Sequence, residues 1–530
     1  MPSVIPNPSK LSNKRRPKVS LAWVFGLVFE IVLIALVIGQ YKEGWFFVEL
    51  YNFSLISHYP LLLLASALNS DVIGVILSFV YAVMLAWLWA VIFDRVMKWF
   101  KQKFVQHGAS RRQKWIVAAG LAVLFLTALS WHIIDSHFDQ PTSFTPSSDV
   151  KLLVEGNNAF ALDLYQQLKG QPHNLFFSPY SISAGMGMVY AGARGPTERE
   201  LASALHFNLT QNNLHPAFGQ LFSRLITLQH WHHLTLLPAN SLWYQQNYKF
   251  TPDFINSVRT NYQGEMRPVD FEQAASNASR ELAAWIEKKT GGRLKGSVNP
   301  GLFTPDTRLA LCDTIYFKGQ WASQFRRSNT NPRPFSITTN QTVTVPMMYQ
   351  KGEFKMGGSD YGDGLYMQML ELPYYGRDVS MIILLPNQVD GLAELERQLN
   401  PASLHEWLTK LDKSYLSTTR VSLPRFTVTQ NFDLGKTLRS LGVTNLFDAG
   451  AADLSGMEST TNLYISDILH QAFVEVNEHG TEAAVMTLAL ANTKGIDNRF
   501  IADHPFIFLI RDNATGSILF LGRMVDPTKP

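Results

Sequence analysis

A single cysteine, Cys312, stands in 530 residues. No intramolecular disulfide can brace the chain, so a domain outside the cytoplasm must rest on its core. Enzyme signatures are absent as well. There is no G-x-S-x-G nucleophile elbow and no phosphate-cradling G-x-x-x-x-G-K-[ST]. Gly185-Met-Gly187 opens like a dinucleotide fingerprint but lacks the third glycine, and helix packing accounts for it better. His230, His232 and His233 are the best metal candidates, yet no carboxylate adjoins them and surface histidines are the plainer reading. The expectation is a protein with no metal, no cofactor and no catalytic activity of its own. Net charge is small, +4. Residues 1–150 hold 13 of the 46 basic and 8 of the 42 acidic residues, so the excess belongs to that part and does not point to nucleic acid.

Long apolar runs are present, and only at the amino-terminal end. Residues 19–39, 72–93 and 115–134 are each long enough to cross a bilayer, with Trp and Tyr near their ends. Glu30 inside the first is costly in lipid and is expected to face another helix. Buried core helices are the alternative, but the flanking charges are too regular for it. Lys10, Lys14, Arg15, Arg16 and Lys18 precede the first run, and seven Lys/Arg lie between Arg95 and Lys114. The other flanks carry Lys42 with Glu43 and Glu49, then Asp135 and Asp139. The positive-inside rule then puts residues 1–18 in the cytoplasm and everything after Ile134 outside. The first run also has the length of a signal peptide, although Val37-Ile38-Gly39 is a poor cleavage site. Either way the carboxy-terminal domain is extracytoplasmic (periplasmic, extracellular or lumenal), integral to a membrane whose lipid is a partner. Residues 135–149, with Pro141-Thr-Ser-Phe-Thr-Pro-Ser-Ser148, read as a flexible tether.

From residue 150 onward there is neither an internal repeat nor a low-complexity tract. Asn174–Ile182 reads as a short strand entering a helix through Ser178-Pro179. Thr197-Glu-Arg-Glu200 has the form of a capping box for a helix over 199–205. Leu309–Phe317, Val379–Leu385 and Phe506–Ile510 are apolar runs of strand length, and the chain closes in a hairpin turning through 512–516. Strands and helices mix without a βαβ rhythm, which argues α+β. Asn208, Asn277, Asn340 and Asn513 head N-x-[ST] triplets, which matter only if the host glycosylates.

One stretch is at odds with its surroundings. Along residues 475–495, Thr481, Ala483, Val485, Thr487, Ala489 and Ala491 make a small or β-branched, uncharged face fit for a sheet. Yet the stretch ends in the exposed-looking Asn492-Thr493-Lys494-Gly495, between two firmer strand candidates. A segment competent to be a strand but displayed as a loop stores a conformational change. Glu478-x-Gly480-Thr481-Glu482-Ala483-Ala484 resembles the reactive-loop hinge of serpins. The resemblance extends over residues 150–530 through Tyr316–Trp321, Leu423–Phe426, Ala452–Met457, Asp503–Arg511 and Gly516–Arg523.

That resemblance implies a serpin fold, a central β-sheet with flanking helices and an exposed reactive-centre loop, preceded here by three transmembrane α-helices. It implies inhibition of a serine protease by loop cleavage and insertion. The family spacing from Glu478 puts the reactive bond between Lys494 and Gly495, which suits a trypsin-like enzyme with a carboxylate in its primary pocket. Arg425 and Glu478 resemble the pair anchoring the hinge, with Trp321 beside it; the bland alternative is a surface pair worth little. Where the sheet must part, the family has two serines, an asparagine and a histidine. Ser178, Ser181 and His470 match, but Asp313 takes the asparagine position; either carboxylate and imidazole favour each other's charged forms, or Asp313 merely accepts the hydrogen bonds an asparagine would. Ser178 and His470 alone suggest a catalytic pair, but the resemblance assigns both to this region. Val485 and Met486 break the run of very small hinge residues, which bears on insertion rate. The alternative function is a non-inhibitory serpin acting as a membrane-tethered binding or chaperone-like protein. A receptor or transporter is disfavoured by three spans without repeat or polar pathway.

Overall fold

In the computed structural model the described residues are 143–231, 234–362, 364–458, 463–480 and 498–530. The chain divides into two units, 1–133 and 134–530, and all of these residues belong to the second. The three apolar runs, hinge residues 481–486 and the Lys494–Gly495 bond lie outside the described residues. Among those described, no helix is long and apolar enough to cross a membrane.

The elements in order are α1 (Ser148–Leu168), β1 (Leu175–Phe177), α2 (Pro179–Gly192), α3 (Gly195–Ala204), α4 (Gln211–Trp231), β2 (Thr235–Gln245), α5 (Pro252–Tyr262), β3 (Glu265–Val269) and α6 (Phe271–Lys289). There follow β4 (Leu309–Lys318), β5 (Asn331–Thr338), β6 (Gln341–Asp360), β7 (Tyr366–Pro373), β8 (Val379–Pro386), α7 (Leu392–Gln398), α8 (Pro401–Asp412), β9 (Leu416–Pro424) and β10 (Phe426–Asp433). The last are α9 (Gly435–Ser440), β11 (Asp467–Val476), β12 (Asn498–Ile501), β13 (Phe506–Asp512) and β14 (Ile518–Met524).

Two sheets result. The larger runs β1-β14-β13-β8-β7-β6-β9-β12, with β5 paired to β6. Its apolar runs are strands because every residue of β8, β13 and β14 is buried, which leaves no polar face for an amphipathic helix. The smaller sheet runs β10-β11-β4-β2-β3. One face lies on the main core, with Leu311, Ile315 and Phe317 pointing in. The other carries a second cluster in which Cys312, Tyr316 and Phe473 pack with Trp243 and Trp285. Burial and Asp313's charge push the Cys312 thiol well above its usual range, so it is a core residue.

Local starts follow side-chain chemistry. Ser178 caps α2 by accepting from Ser181 N, with Pro179 in the first turn. Within α2 a Cβ on Gly187 would lie 2.8 Å from the Tyr262 hydroxyl, so its glycine serves close helix packing, as read from the sequence. Two expectations are corrected. Thr197 does not open a helix: α3 starts at Gly195 with Pro196 in its first turn, and buried Thr197 accepts from Asp453 N at 2.9 Å. Glu200, the supposed box partner, instead accepts from Thr444 N and Asn445 N, each at 2.8 Å. The tether's end is also docked. Ser147 caps α1, and Phe144 lies 5.1 Å from the Arg224 guanidinium. Arg224 is itself buried between Asp378 at 2.5 Å and Asp512 at 3.0 Å.

Candidate functional site

Through the middle of the smaller sheet β4 and β11 run parallel, from Ala310–Asp467 to Tyr316–Phe473. After β11 the chain turns at once. Asn477 N donates to Gly480 O at 2.9 Å, and Gly480 N donates to Asn477 O at 3.2 Å. Gly480 also bridges antiparallel to Gln320, just past β4. One residue thus stands between the continuations of both strands, antiparallel to each. Its φ is +128°, and a Cβ there would lie 2.1 Å from Gly319 O, so only glycine fits.

Several groups hold this turn. Trp321 donates its Nε1–H to Asn477 O at 3.0 Å and its backbone N–H to His479 O at 3.1 Å. Its ring stacks on Tyr374 with centroids 4.6 Å apart. Buried Glu478 accepts from Thr330 Oγ1 at 2.7 Å, while Arg425 Nε lies 3.6 Å from Glu478 Oε2. The expected Arg425–Glu478 pair therefore exists, but the shorter contact is to Thr330. A lone threonine at that distance in sequence carries no signal that would have found it. Phe325 N adds a bond to Glu478 O at 2.9 Å. The surface-pair reading does not describe a carboxylate this enclosed.

Lower on the seam, Ser178, Ser181, Asp313 and His470 meet, as the sequence implied. Asp313 and His470 are paired residues on β4 and β11. Ser181 Oγ donates to Asp313 Oδ1, and His470 Nδ1 lies 2.7 Å from Asp313 Oδ2. His470 Nε2 accepts the Ser178 backbone N–H at 3.1 Å. This last bond corrects the expected charged pair. A ring that accepts at Nε2 carries its proton on Nδ1, and an imidazolium would set two N–H groups against each other. The arrangement is a carboxylate bonded by a neutral ring. Nor is there a nucleophile and base, since Ser178 Oγ donates to Leu519 O at 2.6 Å, away from the ring. Burial and the Asp313 charge push the Tyr180 phenol well above its usual range.

His232 and His233 lie outside the described residues. Among those described, no group of three or more His, Cys, Asp or Glu is arranged to hold a metal ion. Of the four glycosylation triplets, Asn208, Asn277 and Asn340 are exposed, whereas Asn513 donates to Arg377 O and Ser380 Oγ.

Comparison with known proteins agrees with this geometry. A family model described as "Serpin (serine protease inhibitor)" matches residues 155–527. The human leukocyte elastase inhibitor is 40% identical over 383 residues, covering 71% of this chain and 99% of that protein. Serpin B6 of Pongo abelii is 38% identical over 381 residues, covering 71% and 100%. Among solved structures, uncleaved ovalbumin matches with a TM-score of 0.65 at 31% identity, and maspin with 0.66 at 29%. They cover 71% and 72% of this chain and all of their own.

Proposed function

The chain belongs to the serpin family, and on that premise we propose that it traps trypsin-like serine proteases from a membrane-anchored position. The observation that carries this reading is the double bridge made by Gly480. Extending its pairing with Asn477 puts Thr481, Ala483, Val485 and Thr487 opposite Val476, Val474, Ala472 and His470. Extending its pairing with Gln320 puts the same four opposite Gly319, Phe317, Ile315 and Asp313. The two registers agree, because His470 and Asp313 are themselves paired. A strand entering there replaces one parallel seam by two antiparallel ladders, the better-bonded arrangement. It brings only small, β-branched or hydroxyl side chains to the core face. A dozen new backbone bonds at ~0.5–1.5 kcal/mol each make the uncut state metastable by about 10 kcal/mol, held by kinetics. The protease is attacked by nothing: it cuts its substrate loop, and insertion carries off the acyl-enzyme.

Lys494 supports a trypsin-like target, because a lysine finds its charge partner in a pocket with a carboxylate and not in a small one. Mixing the full chain with trypsin should give an SDS-stable complex, and Lys494→Glu should abolish it. A second reading, a non-inhibitory binding or chaperone-like serpin, is favoured by Val485 and Met486. Insertion must outrun deacylation, and cleavage at Lys494 without complex would select that reading.

The membrane part of the proposal rests on the apolar runs and their charge asymmetry. The matched relatives are covered over nearly their whole length by 71% of the chain, and the runs precede the matched residues. Protease added outside intact cells, or spheroplasts where there is an outer membrane, should reach Lys494. Cleavage only after permeabilisation would place the domain in an intracellular compartment or invert the topology.

A further inference from the structure

The last residues of the tether touch a part of the domain that reaches the hinge turn. Phe144 is half-buried, and its ring centroid lies 5.1 Å from the Arg224 guanidinium. The Arg224 side chain is 1% exposed, with Nη2 2.5 Å from Asp378 Oδ1 and 3.0 Å from Asp512 Oδ1. A charge this enclosed depends on close partners, because a gap costs it the ion pair as well as the water it gave up. The Phe144 ring covers the guanidinium and adds a π face to it. Asp378 closes the tight turn between β7 and β8, where Gly376 and Arg377 have φ of +83° and +56°. With both central φ positive, the turn is a stiff hairpin connection, so a displacement at Asp378 carries over to Tyr374. On that side Tyr375 N donates to Gln320 O at 2.7 Å, and Ala322 N donates to Pro373 O at 2.9 Å. Tyr374 stacks on Trp321. Gln320 and Trp321 are the residues that meet Asn477, His479 and Gly480. An unbroken line of contacts therefore runs from the tether to the hinge turn.

We propose that Phe144 is a positioning residue for loop insertion, bracing the 373–378 turn so that Gln320 and Trp321 stay in place against the hinge turn. This rests on the reading that the cleaved loop inserts. Insertion starts from Gly480, whose bridges to Asn477 and Gln320 are the first rungs of the two new ladders. A brace that keeps Gln320 in register has those rungs ready, and an acyl-enzyme that must wait for them hydrolyses instead. The segment joining the domain to the amino-terminal part of the chain is thereby part of the trap. No Lys or Arg stands between residues 115 and 150, so a trypsin-like enzyme leaves this segment whole while it attacks at Lys494.

The full chain and its variants are mixed with trypsin, and both SDS-stable complex and free cleaved chain are followed. Phe144→Ala should raise the ratio of cleaved to trapped chain by about fivefold, the worth of one covered ring–cation contact. The rate of attack at Lys494 should not change. Phe144→Tyr keeps the ring and should keep the wild-type ratio. Phe447 is the control: it is also half-buried, with its ring 4.2 Å from the Arg439 guanidinium. It lies beside the Thr444–Glu200 contact and not the 373–378 turn, so Phe447→Ala should leave the ratio unchanged. Emission gives a second readout. Phe144→Ala should red-shift it, and the shift should vanish once Trp321→Phe is added. An unchanged or lower ratio with Phe144→Ala, an equal rise with Phe447→Ala, a rise without the emission shift, or a Phe144→Tyr that behaves as alanine overturns the proposal. If wild type is cleaved but never trapped, or is not cut at Lys494, the inhibitory reading falls. The emission shift then decides by itself whether Phe144 positions Trp321, and its absence overturns that too.

Discussion

Asp313 Oδ2 lies 2.7 Å from His470 Nδ1 across the parallel seam, the only rung at which a carboxylate meets a ring among the described residues of that pairing. In the proposed insertion a new strand would separate them, and the extended register would bring Thr487 between. A hydroxyl there donates to the carboxylate and accepts from the ring, taking over both halves of the broken contact. Thr487→Val should leave the uncut protein's stability unchanged and lower that of the loop-cleaved form, by about 1–3 kcal/mol for an unsatisfied buried group. Unfolding of both forms by denaturant tests this; equal losses in the two would remove Thr487 from the seam.

His470→Ala removes the ring from two partners at once, the Asp313 carboxylate and the Ser178 N–H. The uncut form should lose about 2–3 kcal/mol, since a hydrogen bond to a charged group is lost in a buried place. Asp313→Asn should cost less, because an amide can still accept from Nδ1–H and donate to Ser181 Oγ. A larger loss for the asparagine variant would contradict the neutral-ring assignment.

Gly480 offers a separate test. With φ at +128° and no room for a Cβ, Gly480→Ala must shift the Gly319–Trp321 backbone. The bond from Trp321 Nε1 to Asn477 O should weaken, seen as a red shift in the emission that Trp321→Phe removes. Loop insertion without cleavage should also change in rate. An alanine variant with the wild-type spectrum and rate would mean that the turn is not the anchor described.

Much of the domain was legible because its signals were local. The buried runs of β4, β8 and β13 and the Ser178-Pro179 start of α2 needed only apolar runs and cap chemistry. The meeting of Ser178, Ser181, Asp313 and His470 came from family likeness and not from any local pattern. What sequence could not supply was the second partner of each group. The Ser178 N–H on His470 fixes that ring's proton, and Thr330 takes half of Glu478, yet each lies far off in the chain. Thr197 misled for the same reason, since its hydroxyl serves Asp453 rather than its own helix.

Thr481→Arg tests insertion directly. On insertion in the register proposed above, residue 481 would come opposite Val476, which is 1% exposed, on the core face. A guanidinium there has no partner and resists desolvation. Trypsin should cleave this variant at Lys494 at a normal rate and release it without forming complex. Trapping as good as wild type would rule out insertion as the mechanism.

Two titrating groups act in opposite directions with pH. Burial, helped by Arg194, lowers the His215 pKa to about 4, with its Nδ1 2.6 Å from the Tyr262 hydroxyl. Between that value and the unfolded 6.5 the unfolded chain binds more protons. This contribution is complete above pH 6.5 and is lost as pH falls to about 4, on the order of 3 kcal/mol. Asp467, at the first rung of the seam, has its pKa raised to about 6 by burial and by the neighbouring Asp433. Here the folded chain binds more protons between the unfolded 3.8 and 6, so stability falls as pH rises through that range and the full penalty holds above it. Its partial exposure screens the effect to about 1 kcal/mol. Asp467→Asn should therefore stabilise the uncut protein at pH 7 and make no difference near pH 3.5. His215→Gln should flatten the loss of stability between pH 6.5 and 4. Denaturant midpoints from pH 3.5 to 7 for wild type and both variants decide the matter: three parallel profiles would show that neither group couples to folding, and a steeper profile for His215→Gln would reverse the sign assigned to that ring.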